Sequence, residues 1–63
     1  MKSVGIIGLG DMGSGLAKNL IKSGFETIGI DLLESRMKAF VEMGGTPAHD
    51  IAELARKSEA VYV

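Results

Sequence analysis

Gly8-Leu9-Gly10-Asp11-Met12-Gly13 follows a short apolar run and precedes a helical pattern, and a second apolar run ends in an acid, Asp31, 18 residues beyond Gly13. Three glycines at that spacing, in that context, call for a strand that turns abruptly into a helix. Gly8 lets the chain leave the strand through backbone angles that strain any residue with a Cβ. Gly10 leaves room for a phosphate to approach the backbone, and Gly13, with Ala17 one turn later, lets the helix lie close to the sheet. Unpaired amides at that helix start, with the positive end of its macrodipole, favour an anion by about 0.3–1 kcal/mol per charge when exposed. Asp31 stands near the offset of roughly 20 residues at which a carboxylate reaches an adenosine ribose. The pattern therefore implies a dinucleotide pocket, and the flanking strand, helix and acid set it apart from an ordinary glycine turn.

Composition narrows the class further. Sixty-three residues are fewer than a typical domain holds. Seven scattered Lys and Arg residues in a chain of net charge −1 offer no basic stripe, so nucleic acid is not an expected partner. Without cysteine there is neither a disulfide framework nor a thiolate metal site, and no metal is expected. The apolar runs fall well short of the roughly 18 residues that span a bilayer. The first strand starts within a few residues of Met1, which leaves no room for a charged leader; the expectation is no membrane partner and a cytoplasmic location.

Ser3 to Ile7 is apolar on both faces, as suits a parallel strand buried between helix layers. From Met12 the period becomes helical: Met12, Leu16 and Leu20, with Ala17 and Ile21, form one apolar stripe, Asp11 stands where a cap belongs, and Gly24 where the helix stops. Glu26 to Ile30 predicts the second strand, in which Gly29 marks close approach of a neighbouring helix. A second helix is expected from about Glu34, buried through Met37, Phe40 and Val41 and ended by Gly44-Gly45. Thr46 to Ala48 reads as a very short edge strand, the place where a proline is tolerated. Asp50 and Glu53 fit a capping box for a third helix with Ile51, Leu54 and Ala55 inward, and Ala60 to Val63 begins another strand that the chain is expected to leave unfinished. Strand and helix alternation implies an α/β fold, an open doubly wound parallel sheet of Rossmann type with right-handed crossovers and strand order 3-2-1-4, of which this is the first half.

Gly5-Ile-Ile-Gly-Leu-Gly-Asp-Met-Gly-Ser-Gly-Leu-Ala-Lys-Asn-Leu20 resembles the amino-terminal fingerprint of the β-hydroxyacid dehydrogenases, the group containing 3-hydroxyisobutyrate dehydrogenase and tartronate semialdehyde reductase, with 6-phosphogluconate dehydrogenase more distant. Gly8, Leu9, Gly10, Met12, Gly13, Ala17, Asn19 and Leu20 match its pattern, Gly24-Phe25 continues the match, and the similarity runs the length of the chain. The resemblance implies that Leu9, Gly10, Asp11 and Met12 line the pyrophosphate and nicotinamide side, while Asp31 and Leu32 flank the adenosine. It also implies hydride transfer between a nicotinamide ring and a small β-hydroxyacid, with a lysine as general acid/base. In relatives that lysine and the substrate loop lie beyond the point corresponding to Val63, as does a helical substrate domain, so no residue of 1–63 is expected to be catalytic. The complete protein is expected to be a homo-oligomer. Members that use NADP tend to carry Asn-Arg where this chain has Asp31-Leu32, which makes NAD the expected cofactor and NADP the less favoured one. Gly15 replaces a proline found in many relatives and loosens the first helical turn by up to about 1 kcal/mol.

Two other classes share parts of the pattern: an NAD-sensing regulatory module of a transport protein, and a flavin-binding domain. The first usually carries a Gly-Asp pair after the second helix, where this chain runs Gly44-Gly-Thr-Pro-Ala-His-Asp50, and the second more often has glutamate at the place of Asp31. His49 reads as a solvated loop histidine, and Lys18 and Lys22 as solvated charges on a polar face. Met12 is either one more core methionine or a soft side chain beside the nicotinamide. Asn19 has no role that its chemistry suggests.

Overall fold

The apolar runs and glycine stops sort the chain into seven elements: β1 (Ser3–Ile7), α1 (Asp11–Lys22), β2 (Glu26–Ile30), α2 (Glu34–Glu42), β3 (Thr46–Pro47), α3 (Ile51–Lys57) and β4 (Ala60–Tyr62). The computed structural model describes residues 2–63. All strand pairs are parallel, in the expected order β3-β2-β1-β4. Ser3 to Ile7 pair with Glu26 to Ile30 in register, Val4 pairs with Ala60, and Gly29 pairs with Pro47 at the edge.

The two sheet faces carry separate cores, as side-chain alternation along buried parallel strands requires. On one face Ile6, Leu9, Ala17 and Phe40 are buried together, flanked by Leu16, Leu20, Ile21, Met37 and Met43 from α1 and α2 or their ends. On the other, Ile28, Ala48 and Leu54 are buried against Ile7 and Ile30 under α3. Gly29 does mark a close approach: a Cβ there would stand 2.8 Å from the Phe40 ring. Gly13 marks a tighter one, since a Cβ would collide with the carbonyl oxygen of Gly8.

Helix ends follow the glycines. The amides of Gly24 and Phe25 donate to the carbonyls of Ile21 and Leu20, and those of Gly44 and Gly45 to Val41 and Phe40, the paired bonds of a Schellman stop with Gly24 and Gly44 at positive φ. At α3 the Asp50 carboxylate accepts the Glu53 amide at 2.7 Å, while the Glu53 carboxylate reaches one residue further back than a standard box and accepts the amide of His49. His49 itself is exposed, as are Lys18, Asn19 and Lys22.

Four expectations about the helices need correction. Asp11 is the first helical residue and not the cap; Gly10 holds the cap position, and no side chain caps α1. Met12 is 79% exposed, because side chains in a first turn lean toward the helix start and this one passes the end of the sheet. Val41 is 47% exposed, since Phe40 is the buried residue of α2, flanked by half-buried Met37 and, just past the helix end, Met43. Ile51, at 57%, and Ala55 also face outward: Leu54 and the Ser58 hydroxyl fill the space over Gly5, whose missing Cβ would otherwise meet both. Strand ends are shorter than expected, with β3 stopping at Pro47 and β4 at Tyr62.

The two glycines of α1 should respond oppositely to alanine in the full-length protein. Gly13→Ala is expected to destabilise by about 1–3 kcal/mol or more, because its Cβ meets a backbone atom. Gly15→Ala, with open space around its Cβ position, should stabilise by about 0.5–1 kcal/mol. Denaturant unfolding of the two variants checks both signs.

Candidate functional site

The carboxyl ends of β1 and β2 lie side by side, and the segments leaving them form the site. After β1 the Gly8 amide still donates to the Ile30 carbonyl, at 2.9 Å, before the chain turns with Gly8 at φ 98°. Gly10 then starts α1, and the first helical bond runs from the Ser14 amide to the Gly10 carbonyl, at 2.8 Å. Because no side chain caps this helix, its leading amides are left for solvent or a ligand.

Asp31 closes β2 and ties three segments together. Its Oδ2 accepts the Leu9 amide at 2.7 Å and its Oδ1 accepts the Leu33 amide at 2.9 Å. The Arg36 guanidinium stands 3.6 Å from Oδ2; the Asp31 side chain is 7% exposed and that of Arg36 48%. The backbone amide of Asp31 in turn donates to the Met37 sulfur at 3.1 Å. The bond from Leu33, then that from Leu9, hold the Asp31 carboxyl below its ordinary value of 3.8, with the Arg36 charge adding to them against the opposing effect of desolvation.

Two concavities flank Arg36. The larger, about 570 Å³, has Asp31 and Gly8 at its base and Ile30, Leu32, Leu33 and Ile51 among its walls. The smaller, about 220 Å³, lies over Leu9, Gly10, Asp11 and Ser14, with Arg36 and Phe40 on its far side. Of the residues singled out in the sequence, Gly8, Leu9, Gly10, Asp11, Asp31 and Leu32 line these spaces. Leu9 does so with its main chain largely committed, its side chain being in the core and its amide on Asp31. Gly13 is buried beneath the turn, and Met12 lines neither space.

Arg36 and Leu33 went unnoticed in the sequence, and Ile51, expected to face inward from α3, stands at a cavity wall. Arg36 reaches toward Gly10, its guanidinium 3.7 Å from where a Cβ of that glycine would stand. Its signal was present: a cation in the first turns of the helix that follows Asp31 is placed at the same sheet edge as Asp31. Among the described residues no group of His, Cys, Asp and Glu is arranged to hold a metal, and no helix is long and apolar enough to cross a membrane.

Residues 3–63 match the family described as the NAD binding domain of 6-phosphogluconate dehydrogenase. The chain is 37% identical over 60 residues to an L-threonate dehydrogenase of Cupriavidus necator, covering 95% of this chain and 20% of that protein. It is 43% identical over 58 residues to the mitochondrial 3-hydroxyisobutyrate dehydrogenase of Rattus norvegicus, covering 92% of this chain and 17% of that one. A solved imine reductase variant from Myxococcus stipitatus, in complex with NAD+, superposes with a TM-score of 0.91 at 26% identity over 100% of this chain and 23% of its own. The chain thus spans about a fifth of the length of the curated relatives it matches. Neither a transport-protein sensor nor a flavin domain gains support from these matches.

A carboxyl whose folded pKa is lowered adds stability that is complete above its unfolded value and is lost as pH falls through the folded one. Acid titration of the full-length protein should therefore show the Leu9 amide resonance and part of the melting temperature changing together, with a midpoint below 3.8. In Asp31→Asn that component should vanish. A Leu9 midpoint at or above the ordinary aspartate value would mean that the two amide bonds do not hold the carboxylate.

Proposed function

The chain belongs to the family of the NAD binding domain of 6-phosphogluconate dehydrogenase, and on that premise we propose that it is the amino-terminal part of the dinucleotide-binding domain of an oxidoreductase that passes a hydride between a nicotinamide cofactor and a small β-hydroxyacid. The observation that carries this reading is the position of Asp31, at the base of an apolar-walled cavity and next to the uncapped start of α1.

The residues fit the cofactor in three ways. A Cβ at Gly13 would push α1 off the β1 turn, so its absence keeps the helix start at the sheet edge, where amides and macrodipole favour a pyrophosphate. The turn of Gly8, Leu9 and Gly10, with Asp11 beside it, borders the space through which that pyrophosphate approaches. Asp31 retains acceptor capacity beyond its two amide bonds, because a carboxylate offers about four lone-pair sites. We assign Asp31 and Leu32 to the adenosine side, and Gly8 to Gly13, with exposed Met12, to the pyrophosphate and nicotinamide side. When bound, the nicotinamide supplies the hydride chemistry; the residues of this chain hold and orient it.

In this reading residues 1–63 are followed, in the longer protein, by the rest of the dinucleotide domain and a helical substrate domain that brings the acid/base group and the hydroxyacid site. Its relatives, named as L-threonate and 3-hydroxyisobutyrate dehydrogenases, support the substrate class. A homo-oligomer in the cytoplasm, with no nucleic acid or membrane partner, completes the proposal.

Cofactor choice tests the assignment. A phosphate on the adenosine ribose would meet the Asp31 carboxylate, and like charges juxtaposed in a binding site are strongly disfavoured. Arg36 is already engaged with that carboxylate, and Leu32 has no charge to offer. Paired titrations of the full-length protein should show NAD bound at least about tenfold more tightly than NADP. Asp31→Asn with Leu32→Arg should narrow or reverse the ratio, and tighter NADP binding by the unmutated protein would remove Asp31 from the adenosine side.

A further inference from the structure

We infer that Asp31 is a positioning residue for the glycine turn, holding the Leu9 amide so that the α1 start is presented in its binding form, and that the adenosine and pyrophosphate ends of the site are thereby coupled through one carboxylate. The ligand in this inference is taken from the dinucleotide reading; the hold on Leu9 stands without it.

Backbone pairing from β2 reaches the turn only as far as the bond between the Gly8 amide and the Ile30 carbonyl. Past that point the next bond from the β2 side is the one from Leu9 to Asp31, at 2.7 Å and 22 residues apart in sequence. Gly8 and Gly10 on either side of Leu9 give the segment little stiffness of its own. The buried Leu9 side chain anchors the Cα, and the carboxylate then sets which way the peptide plane faces.

The carboxylate is itself held in place. Leu33 pins the other oxygen at the start of α2, Arg36 balances its charge from the next turn, and the side chain is almost wholly covered. A freely moving rim acid would contact ribose and nothing else. This one is built into the wall between the turn and α2, and the ribose can use only the acceptor capacity left over. A ligand bound at the adenosine side therefore bears on the same group that fixes the phosphate turn.

The discriminating ligand is an NAD analogue with a 2′,3′-dideoxyadenosine, which offers Asp31 no ribose hydroxyl. Full-length wild type, Asp31→Ala and Asp31→Asn are titrated with NAD and with this analogue, and amide exchange is followed without ligand. Asp31→Ala is expected to weaken the analogue as well as NAD, by at least about fivefold, a difference well within what one charged hydrogen bond can produce. Asp31→Asn, which keeps one acceptor oxygen, should recover part of the analogue's affinity. Leu9 exchange should quicken in Asp31→Ala and not in Lys18→Ala, with the amides of Ile6 and Ile28 still protected as a check on folding.

Analogue binding unchanged by Asp31→Ala would confine Asp31 to the ribose and overturn the inference. So would an Asp31→Asn variant no better than Asp31→Ala, or unchanged Leu9 exchange. If wild type binds neither NAD nor the analogue, the proposed function fails, and Leu9 exchange alone still decides whether Asp31 holds the turn.

Discussion

The geometry of this chain depends on a contact in which no side chain takes part: the backbone of α1 at Gly13 lies against the carbonyl of Gly8, where even a methyl group would not fit. Everything at the carboxyl edge of the sheet inherits that closeness. It sets the helix start close above the strand ends, beside the turn at which Gly8 takes a positive φ. The contrast with α3 is instructive, since that helix begins on a full side-chain cap from Asp50 while α1 begins on Gly10 with none. A glycine at the cap position is worse than a capping side chain by only a few tenths of a kcal/mol, so α1 forgoes little stabilisation and keeps its amides accessible. The α1 helix recovers stability elsewhere, through Ala17 and its neighbours on the sheet.

Asp31 shows how much internal bonding one carboxylate at a sheet edge can carry. Were its carboxylate free, its charge would act outward in full. Here two amides and a guanidinium already surround it, so part of its field is spent inside the fold and its protonation is driven below the usual range. The field that Asp31 presents outward is set by the balance between Asp31 and Arg36, and not by the acid alone. That balance is invisible to a motif that records only the acid.

Element order, parallel pairing and helix stops were legible because each rests on local chemistry. Apolar runs on both faces announce buried parallel strands, Gly24 and Gly44 supply the positive φ a helix stop needs, and Gly29 anticipated the Phe40 ring. The failures share a different cause. Met12, Val41, Ile51 and Ala55 sit at helical spacing, but helical spacing says which residues share a face and not how much of that face the sheet reaches. Met12 and Ile51 lie in first turns that overhang the strand ends, and Val41 lies off a stripe whose line is set by Phe40 seeking Gly29 and Gly45. The bond from Leu9 to Asp31 and the approach of Arg36 join residues from different crossovers, so only the assembled sheet brings them together.

Exposed apolar side chains at the sheet edge also account for the unequal character of the two concavities. Leu32, Leu33 and Ile51 are large, apolar and exposed, and all three border the larger space, so their exposure is concentrated at one place and not scattered over the surface. Apolar walls with Asp31 and Arg36 as the charged members are the common make-up of a small-molecule cleft. In the smaller space the lining changes to Gly10, Asp11 and Ser14 at the start of α1, with Ser35, Phe40 and Met43 facing them, a more polar surface than the walls of the larger one. Arg36 borders both spaces, so one guanidinium is shared between the acid that closes β2 and the turn that starts α1. Of the helix residues whose spacing suggested core, Ile51 alone joins Leu32 and Leu33 in walling the larger space, so its exposure serves a concavity and not the open surface.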